Sequence, residues 1–341
     1  MDENVVEASP PDQQGEEVNG FIFCGNTLPE TVVELILTKV DDEDVLNCHS
    51  VCRAWSELIA RKSLWKTRFD NKQVDWNSTL DRNGSWRVFH AILRDQILSK
   101  NYIKNSSGHD QFEGWTVVPN EYHQWSIEEK PVGCDPLPDL PHFGVKDRSA
   151  FIANSNWCSK YYLVDLWAEG LTPNLMKLLL PFQIKCCQSY TVRSDLGGDF
   201  DWELMLLNSQ ERVLSEYLSP ITRLPQGYVK WRTAEYAFQF GKSNISNSNF
   251  LEELRYVLFI HEGKSSGTPP HGDRCGLKLS RSCVTIECLE PESGEEEPQT
   301  EMEKESTGFR KMAWRDRFFH IKERNFYQRL RHFDDVELIN V

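Results

Sequence analysis

LPETVVELILTKVDDEDVLNCHSVCRAWSELIARKSLWKTRFD, residues 28–70, carries its apolar side chains at helical spacing, broken at short intervals by acidic and capping residues. Pro29 suits a first helical position, because the N–H it lacks would find no partner there. Val32, Val33, Leu35, Ile36, Leu37 and Val40 then predict an apolar stripe on a helix of about three turns. Asp41, Asp42 and Glu43 place negative charge where a second helix would begin, as the helix dipole favours. Val45, Leu46, Cys48, Val51, Cys52, Trp55, Leu58 and Ile59 continue at three-and-four spacing. So short a cluster of helices buries too little surface for a core of its own. It nevertheless has more large apolar residues than a helical hairpin needs, which predicts a docking module completed by another protein.

Leu28-Pro29-Glu30, Leu35-Ile36, Val40, Asp44-Val45, Cys48, Val51-Cys52-Arg53, Trp55, Leu58 and Leu64-Trp65 resemble the F-box motif. The resemblance implies docking to a Skp-family adaptor and, through it, to a cullin and a RING subunit. Leu28, Pro29, Glu30, Leu35, Ile36, Val51, Cys52, Trp55, Leu64 and Trp65 are the implied adaptor-binding residues, at or behind the interface.

The totals bound the rest. A chain of 341 residues has room for about two domains. A net charge of −14 argues against broad nucleic-acid binding. No run approaches the ~18 apolar residues of a membrane span, and the N-terminus lacks a signal core. Ten cysteines would fit a secreted disulfide framework, but Cys48, Cys52 and Cys158 sit inside apolar patterns. Reduced core cysteines in a cytoplasmic or nuclear protein are therefore expected.

Residues 1–24 read as an acidic disordered tail, 25–70 as the helical module and 71–100 as a helical linker, with Phe89, Ile92 and Leu93 at helical spacing. From Asn101 onward short β-prone runs alternate with Gly, Pro and Asn: 115–118, 124–128, 150–153, 161–166, 182–187, 201–208, 212–217, 229–236, 254–261, 277–279 and 284–288. Thr172-Pro173 starts a short helix among them. About ten short strands without regular intervening helices predict an antiparallel sandwich.

Phe112-Glu113-Gly114-Trp115, Phe151 to Cys158, Val164-Asp165-Leu166 with Ala168-Glu169-Gly170, Tyr190 with Arg193-Ser194-Asp195, and Tyr256 to Gly263 resemble the F-box-associated domain over residues 101–290. That implies an α+β multidomain chain ending in a ten-stranded jelly-roll-like sandwich, whose relatives include readers of high-mannose N-glycans. In those relatives an aromatic stacks on the inner sugar, and a Tyr-Trp-Lys-Gly loop forms a second wall. Phe151 matches the first by position, though a core strand residue would look the same. Pro269-Pro270-His271-Gly272 stands where the second is expected.

Residues 291–308 read as an acidic linker, and 309–341 as a basic, aromatic segment with an amphipathic helix over 309–333 that packs on the protein, binds a partner or lies on a membrane surface. No phosphate loop, HExxH or GxSxG is present. Cys48, His49 and Cys52 lack a second ligand pair at zinc spacing, and a Cys158–His261 pair has no visible oxyanion hole. No cofactor or metal is expected. The resulting expectation is the substrate-recognition subunit of a Skp-cullin-F-box ubiquitin ligase, with loops of the sandwich binding a protein epitope. The alternatives are a receptor for N-glycosylated substrates in glycoprotein quality control, a stand-alone lectin-like protein, and an enzyme on a β-sandwich.

Overall fold

The computed structural model describes residues 21–118, 125–139, 148–154, 157–241, 249–267 and 276–290. Met1–Pro291 belong to one compact unit. A second unit, Glu292–Val341, lies outside the described residues, and with it the amphipathic segment expected at 309–333.

The chain enters through a two-stranded hairpin, β1 (Ile22–Phe23) and β2 (Asn26–Thr27). Its turn places Cys24 and Gly25 at φ 48° and 78°, the pairing that matches strand twist in a two-residue loop. Helix α1 (Glu30–Leu37) is entered through Pro29 in extended conformation and buries Val33 and Leu37. It ends at Leu37, one turn before the expected Val40, where Thr38 Oγ1 donates to Leu35 O at 2.7 Å.

The three-and-four spacing from Val45 to Ile59 is carried by two helices. α2 (Val45–His49) closes with three-residue turns, and Cys52 is fully extended at φ −160°, ψ 169°, before α3 (Arg53–Ile59) begins. The bend lets α3 deliver Leu58 and Ile59 to the core that Val45 already occupies. α4 (Lys62–Asn71) follows, then α5 (Ser78–Asn83), whose first turn is capped by Asn77 Oδ1 accepting from Leu80 N at 2.9 Å, and α6 (Trp86–Arg94).

α5 and α6 share the first module's core. Trp76 packs 4.6 Å from Phe89 and 5.1 Å from Phe69, and Trp65 lies 6.1 Å from Phe89, ring centre to ring centre. The same stretch is tied to the sandwich. Ser78 Oγ donates to Glu290 Oε2 at 2.6 Å, Lys100 pairs with Glu169 at 2.7 Å, and Tyr102 N donates to Val284 O at 2.9 Å.

The sandwich is antiparallel throughout. One sheet runs β10 (Thr222–Leu224), β8 (Gly197–Asn208), β12 (Leu254–Ser266), β6 (Cys158–Asp165), β3 (Trp115–Val117), with β9 (Val213–Leu218) also on β8. The other runs β11 (Arg232–Phe240), β7 (Phe182–Val192), β13 (Leu277–Cys288), β5 (Ala150–Ile152), β4 (Ser126–Glu128). On β7 the inward Phe182, Ile184 and Cys186 alternate with wetter Gln183, Lys185 and Cys187, whereas the middle of β12, Val257 to His261, is buried on both faces. Helices α7 (Pro173–Leu179) and α8 (Phe250–Glu253) pack against each other beside the sandwich, with Thr172 Oγ1 capping α7.

Two details depart from the expected strands. The runs at 277–279 and 284–288 are one strand, carried through a bulge between Ser280 and Cys283 where Arg281 takes φ 55°. Ser280-Arg281-Ser282 breaks the apolar pattern, so the sequence reads as two strands. β10, three residues between Pro220 and Pro225, is too short to show a period.

Candidate functional site

On α1, Val32, Leu35 and Ile36 lie at i, i+3, i+4 and are exposed by 38%, 57% and 40%, while Val33 and Leu37 turn inward. Leu46 and Val51 are exposed by 45% and 61%. The short helical module therefore holds half of the large exposed apolar side chains among the described residues. Pro29 and Glu30 are exposed beside them, with the Glu30 carboxylate paired to Arg61, and Leu28, Cys52 and Trp55 are half-buried. Phe23 stacks on Trp55 at 5.9 Å and holds it from behind.

Leu64 and Trp65 lie behind the exposed row. Both are completely enclosed, and Trp65 Nε1 donates to Ile59 O at 2.7 Å inside the core. They pack beneath the surface rather than on it. Val32 and Leu46 were missed as surface residues. Their signal was surplus, since α1 has five large aliphatics and the core takes only two.

Asp42 anchors the module's underside. Its carboxylate accepts from Arg68 Nη2 at 2.5 Å and from Lys72, while Arg68 Nη1 donates to Leu37 O at 2.7 Å. Burial alone would raise this carboxyl. The hydrogen bonds and charges of Lys72 and Arg68 outweigh burial and hold it below the ordinary carboxylate value.

The strand register separates two ends of the sandwich. Pairs Phe182–Cys288, Phe182–Phe240 and Asn208–Leu254 mark one end, where residues 78–79 also join Leu289 and Glu290. Pairs Val192–Leu277, Tyr190–Arg232, Gly198–Leu224 and Gly197–Ser266 mark the other, about 40 Å away for a twelve-residue strand. Loops leaving that far end bring together Gly133, Asp135, Arg193, Tyr228 and Trp231. Trp231 Nε1 donates to Asp135 O at 2.8 Å, Ser194 N donates to Gly133 O at 2.7 Å, and the Arg232 guanidinium sits 4.4 Å over the Tyr228 ring. The sequence placed Trp231 and Arg232 within a strand, and β11 does begin at Arg232, leaving Trp231 in the loop before it. The better signal was Pro225-Gln226-Gly227 just before them, a turn combination.

Phe151 is not at a surface. It is fully buried between the sheets, 5.3 Å from Trp115, and Gly108 closes over it so tightly that a β-carbon there would lie 3.0 Å from the ring. Its enclosed face is taken by Lys160, whose Nζ is 3.8 Å from the Phe151 ring centre, 3.3 Å from that of Trp115, and 2.7 Å from His261 Nδ1. In this arrangement Phe151 offers no stacking wall, and the core-residue reading is the one the geometry supports. Pro269, Pro270 and His271 lie outside the described residues. Among the described residues no cluster of three or more His, Cys, Asp or Glu is arranged for a metal, and no helix is long and apolar enough to cross a membrane.

Comparison with known proteins returns both modules. The F-box-like family matches residues 26–71, and the F-box associated region matches residues 93–286. Human F-box only protein 44 is 28% identical over 266 residues, covering 76% of this chain and 96% of that protein. Human F-box only protein 6 is 27% identical, covering 71% and 77%, and bovine F-box only protein 2 is 25% identical, covering 74% and 80%. Among solved structures, a xylan-binding domain of Paenibacillus barcinonensis Xyn10C aligns over 57% of this chain and 99% of its own, at 7% identity and TM-score 0.29, too low to carry an argument. With an F-box at its start and the associated region over more than half its length, the chain belongs to the F-box proteins of the F-box-associated class.

Proposed function

We propose that this chain is the substrate-recognition subunit of a Skp-cullin-F-box ubiquitin ligase. The helical module docks the Skp-family adaptor, and the far-end loops of the sandwich hold a protein substrate. The observation that carries this reading is the exposed row Val32, Leu35, Ile36 on a helix whose other side is already satisfied. These side chains are already about half covered, so enclosing one in a partner recovers roughly half of the ~1.5–3 kcal/mol of full burial, and the row acts together as the apolar anchor of the contact. The chain itself makes and breaks no bonds. Held in the assembly, it raises the effective concentration of substrate lysines near the charged ubiquitin carrier. Its place of action is the cytoplasm or nucleus.

A direct test is co-purification of the adaptor with full-length protein carrying Leu35→Asp and Ile36→Asp. Both side chains are exposed, so the variant keeps its melting temperature and loses the adaptor. Retention of the adaptor by a folded variant refutes the docking face. For the substrate, Phe151 is unavailable for stacking, and this supports a protein epitope over a high-mannose glycan. A chitobiose-core glycan is expected to show no micromolar binding by titration calorimetry, and tight binding would restore the glycoprotein alternative.

A further inference from the structure

Outside both faces, two cysteines meet across neighbouring strands. Cys187 on β7 and Cys283 on β13 are directly opposed in the antiparallel register. Both are reduced and half-buried, and the Cys283 thiol is hydrogen-bonded to Cys187. Their side chains share the sheet's outer face with a wet, charged row: Lys185, Glu235, Gln183 and Glu287. Lys185 lies 3.4 Å from Glu235, and Gln183 donates to Glu287 at 2.7 Å. Cys186, one residue away, points into the core and is fully buried.

The backbone fixes how far apart the pair stands. Val284 directs both of its backbone groups away from β7: its N–H donates to Asn101 Oδ1 at 3.0 Å and its C=O accepts from Tyr102 N at 2.9 Å. Alternation then turns Cys283 toward β7, which makes Cys187–Cys283 a hydrogen-bonded pair with α-carbons about 5.5 Å apart. That separation falls inside the roughly 4.4–6.8 Å range of disulfides. The bulge immediately before Cys283 adds local twist, and Gln188 fixes it by donating to Ser280 O at 2.8 Å and accepting from Ser282 Oγ at 2.7 Å.

We propose that Cys187 and Cys283 are a modification site: a cross-strand dithiol that closes reversibly to a disulfide, with glutathione disulfide as the oxidant. The hydrogen bond to Cys187 and then burial raise the Cys283 thiol well above its ordinary value, so Cys187 supplies the attacking sulfur. Cys187 Sγ, having released its proton to solvent, attacks one sulfur of glutathione disulfide, and one glutathione leaves as thiolate and takes up a proton. Cys283 then gives up its proton and attacks the Cys187 sulfur, displacing the second glutathione. Two protein thiols are oxidised and one glutathione disulfide is reduced to two thiols. Both sulfurs are only half-buried, which leaves the bridge open to attack by a reducing thiol.

The test is incubation of reduced full-length protein with glutathione disulfide, followed by alkylation and peptide mass spectrometry. The expected product is a linked peptide pair joining Cys187 to Cys283, two hydrogens lighter than the reduced pair and reopened by dithiothreitol. In Cys283→Ser the expected product is glutathione retained on Cys187, because the resolving thiol is gone. Wild-type protein that shows no Cys187–Cys283 link, or that carries stable glutathione on both cysteines, overturns the proposal. So does a Cys283→Ser protein that leaves Cys187 unmodified. The wild-type arm needs no substitution, so a variant that fails to fold cannot hide the answer.

Discussion

Lys160 and His261 form the most demanding residue-scale feature of the sandwich. Both side chains are completely buried on adjacent strands, and Lys160 Nζ meets His261 Nδ1 with aromatic rings around it in place of a carboxylate. Burial pushes the Lys160 amine well below its ordinary value, and burial together with the charge of Lys160 does the same to His261. A base whose folded-state value is lowered favours the folded state fully only above its unfolded value. For histidine that value is about 6.5. Melting temperature is therefore expected to fall as pH is lowered from about 7 to 5, because the unfolded chain takes up a proton that buried His261 refuses. A Lys160→Met/His261→Leu protein should show a flatter profile across that interval by scanning calorimetry; an identical slope would place the acid sensitivity elsewhere. Asp42 acts lower on the scale. Its lowered carboxyl contributes stability above the ordinary value of about 3.9, lost as pH falls through the folded value. Residues also separate docking from support. Trp65→Ala, which empties an enclosed site, should cost about 3–5 kcal/mol in denaturant unfolding. Leu35→Asp should leave stability within about 0.5 kcal/mol.

At the scale of elements, the joint between α5 and α6 depends on Gly84. A β-carbon there would lie 2.0 and 2.4 Å from two atoms of the Phe89 ring and 2.6 Å from Leu80 O. The ring cannot retreat, because Trp65, Phe69 and Trp76 surround it. Gly84→Ala is thus expected to destabilise the protein by about 1–3 kcal/mol, the range of overpacked cores; a neutral result would show that the aromatic cluster is loose. The same elements show what the sequence could tell. Long periodic segments were legible: α1, α6, α7 and most strands stand where their spacing put them, because burial of one face writes itself as a period. What escaped reading is local in geometry and non-local in cause. The extended backbone at Cys52 serves a core shared with α4, and the bulge at Arg281 answers to Gln188 on another strand. Phe151 looked like a site because position in sequence does not reveal which face of a strand is covered. Trp231 looked like a strand residue because only register shows that β11 begins at Arg232, beside the turn at the far end.

For the whole molecule, the two ends have separate duties and a stiff path between them. The module's core runs through Trp65, Phe89 and Trp76 into α5 and α6; α5 is pinned to the sandwich through Glu290 and Leu289, and Lys100 and Tyr102 just after α6 through Glu169 and Val284. No long, solvated linker intervenes, so the distance from adaptor to substrate is set by packing and not by chain entropy. A receptor built this way should transmit position without transmitting a change of conformation, since the described residues between the two ends are packed continuously. Hydrogen exchange on full-length protein, with and without a purified Skp-family adaptor, checks this. Adaptor binding is expected to slow exchange in α1, α2 and α3 by at least about tenfold, corresponding to roughly 1.4 kcal/mol of added local stability. Amides of residues 193–196 and 226–232 should exchange at unchanged rates, because the length of the paired strands separates them from the module. Slowing at the far-end loops on adaptor binding would contradict a passive spacer and require a second state of the sandwich. Slowing at neither end would remove the docking face instead, so the two failures are distinguishable in one measurement.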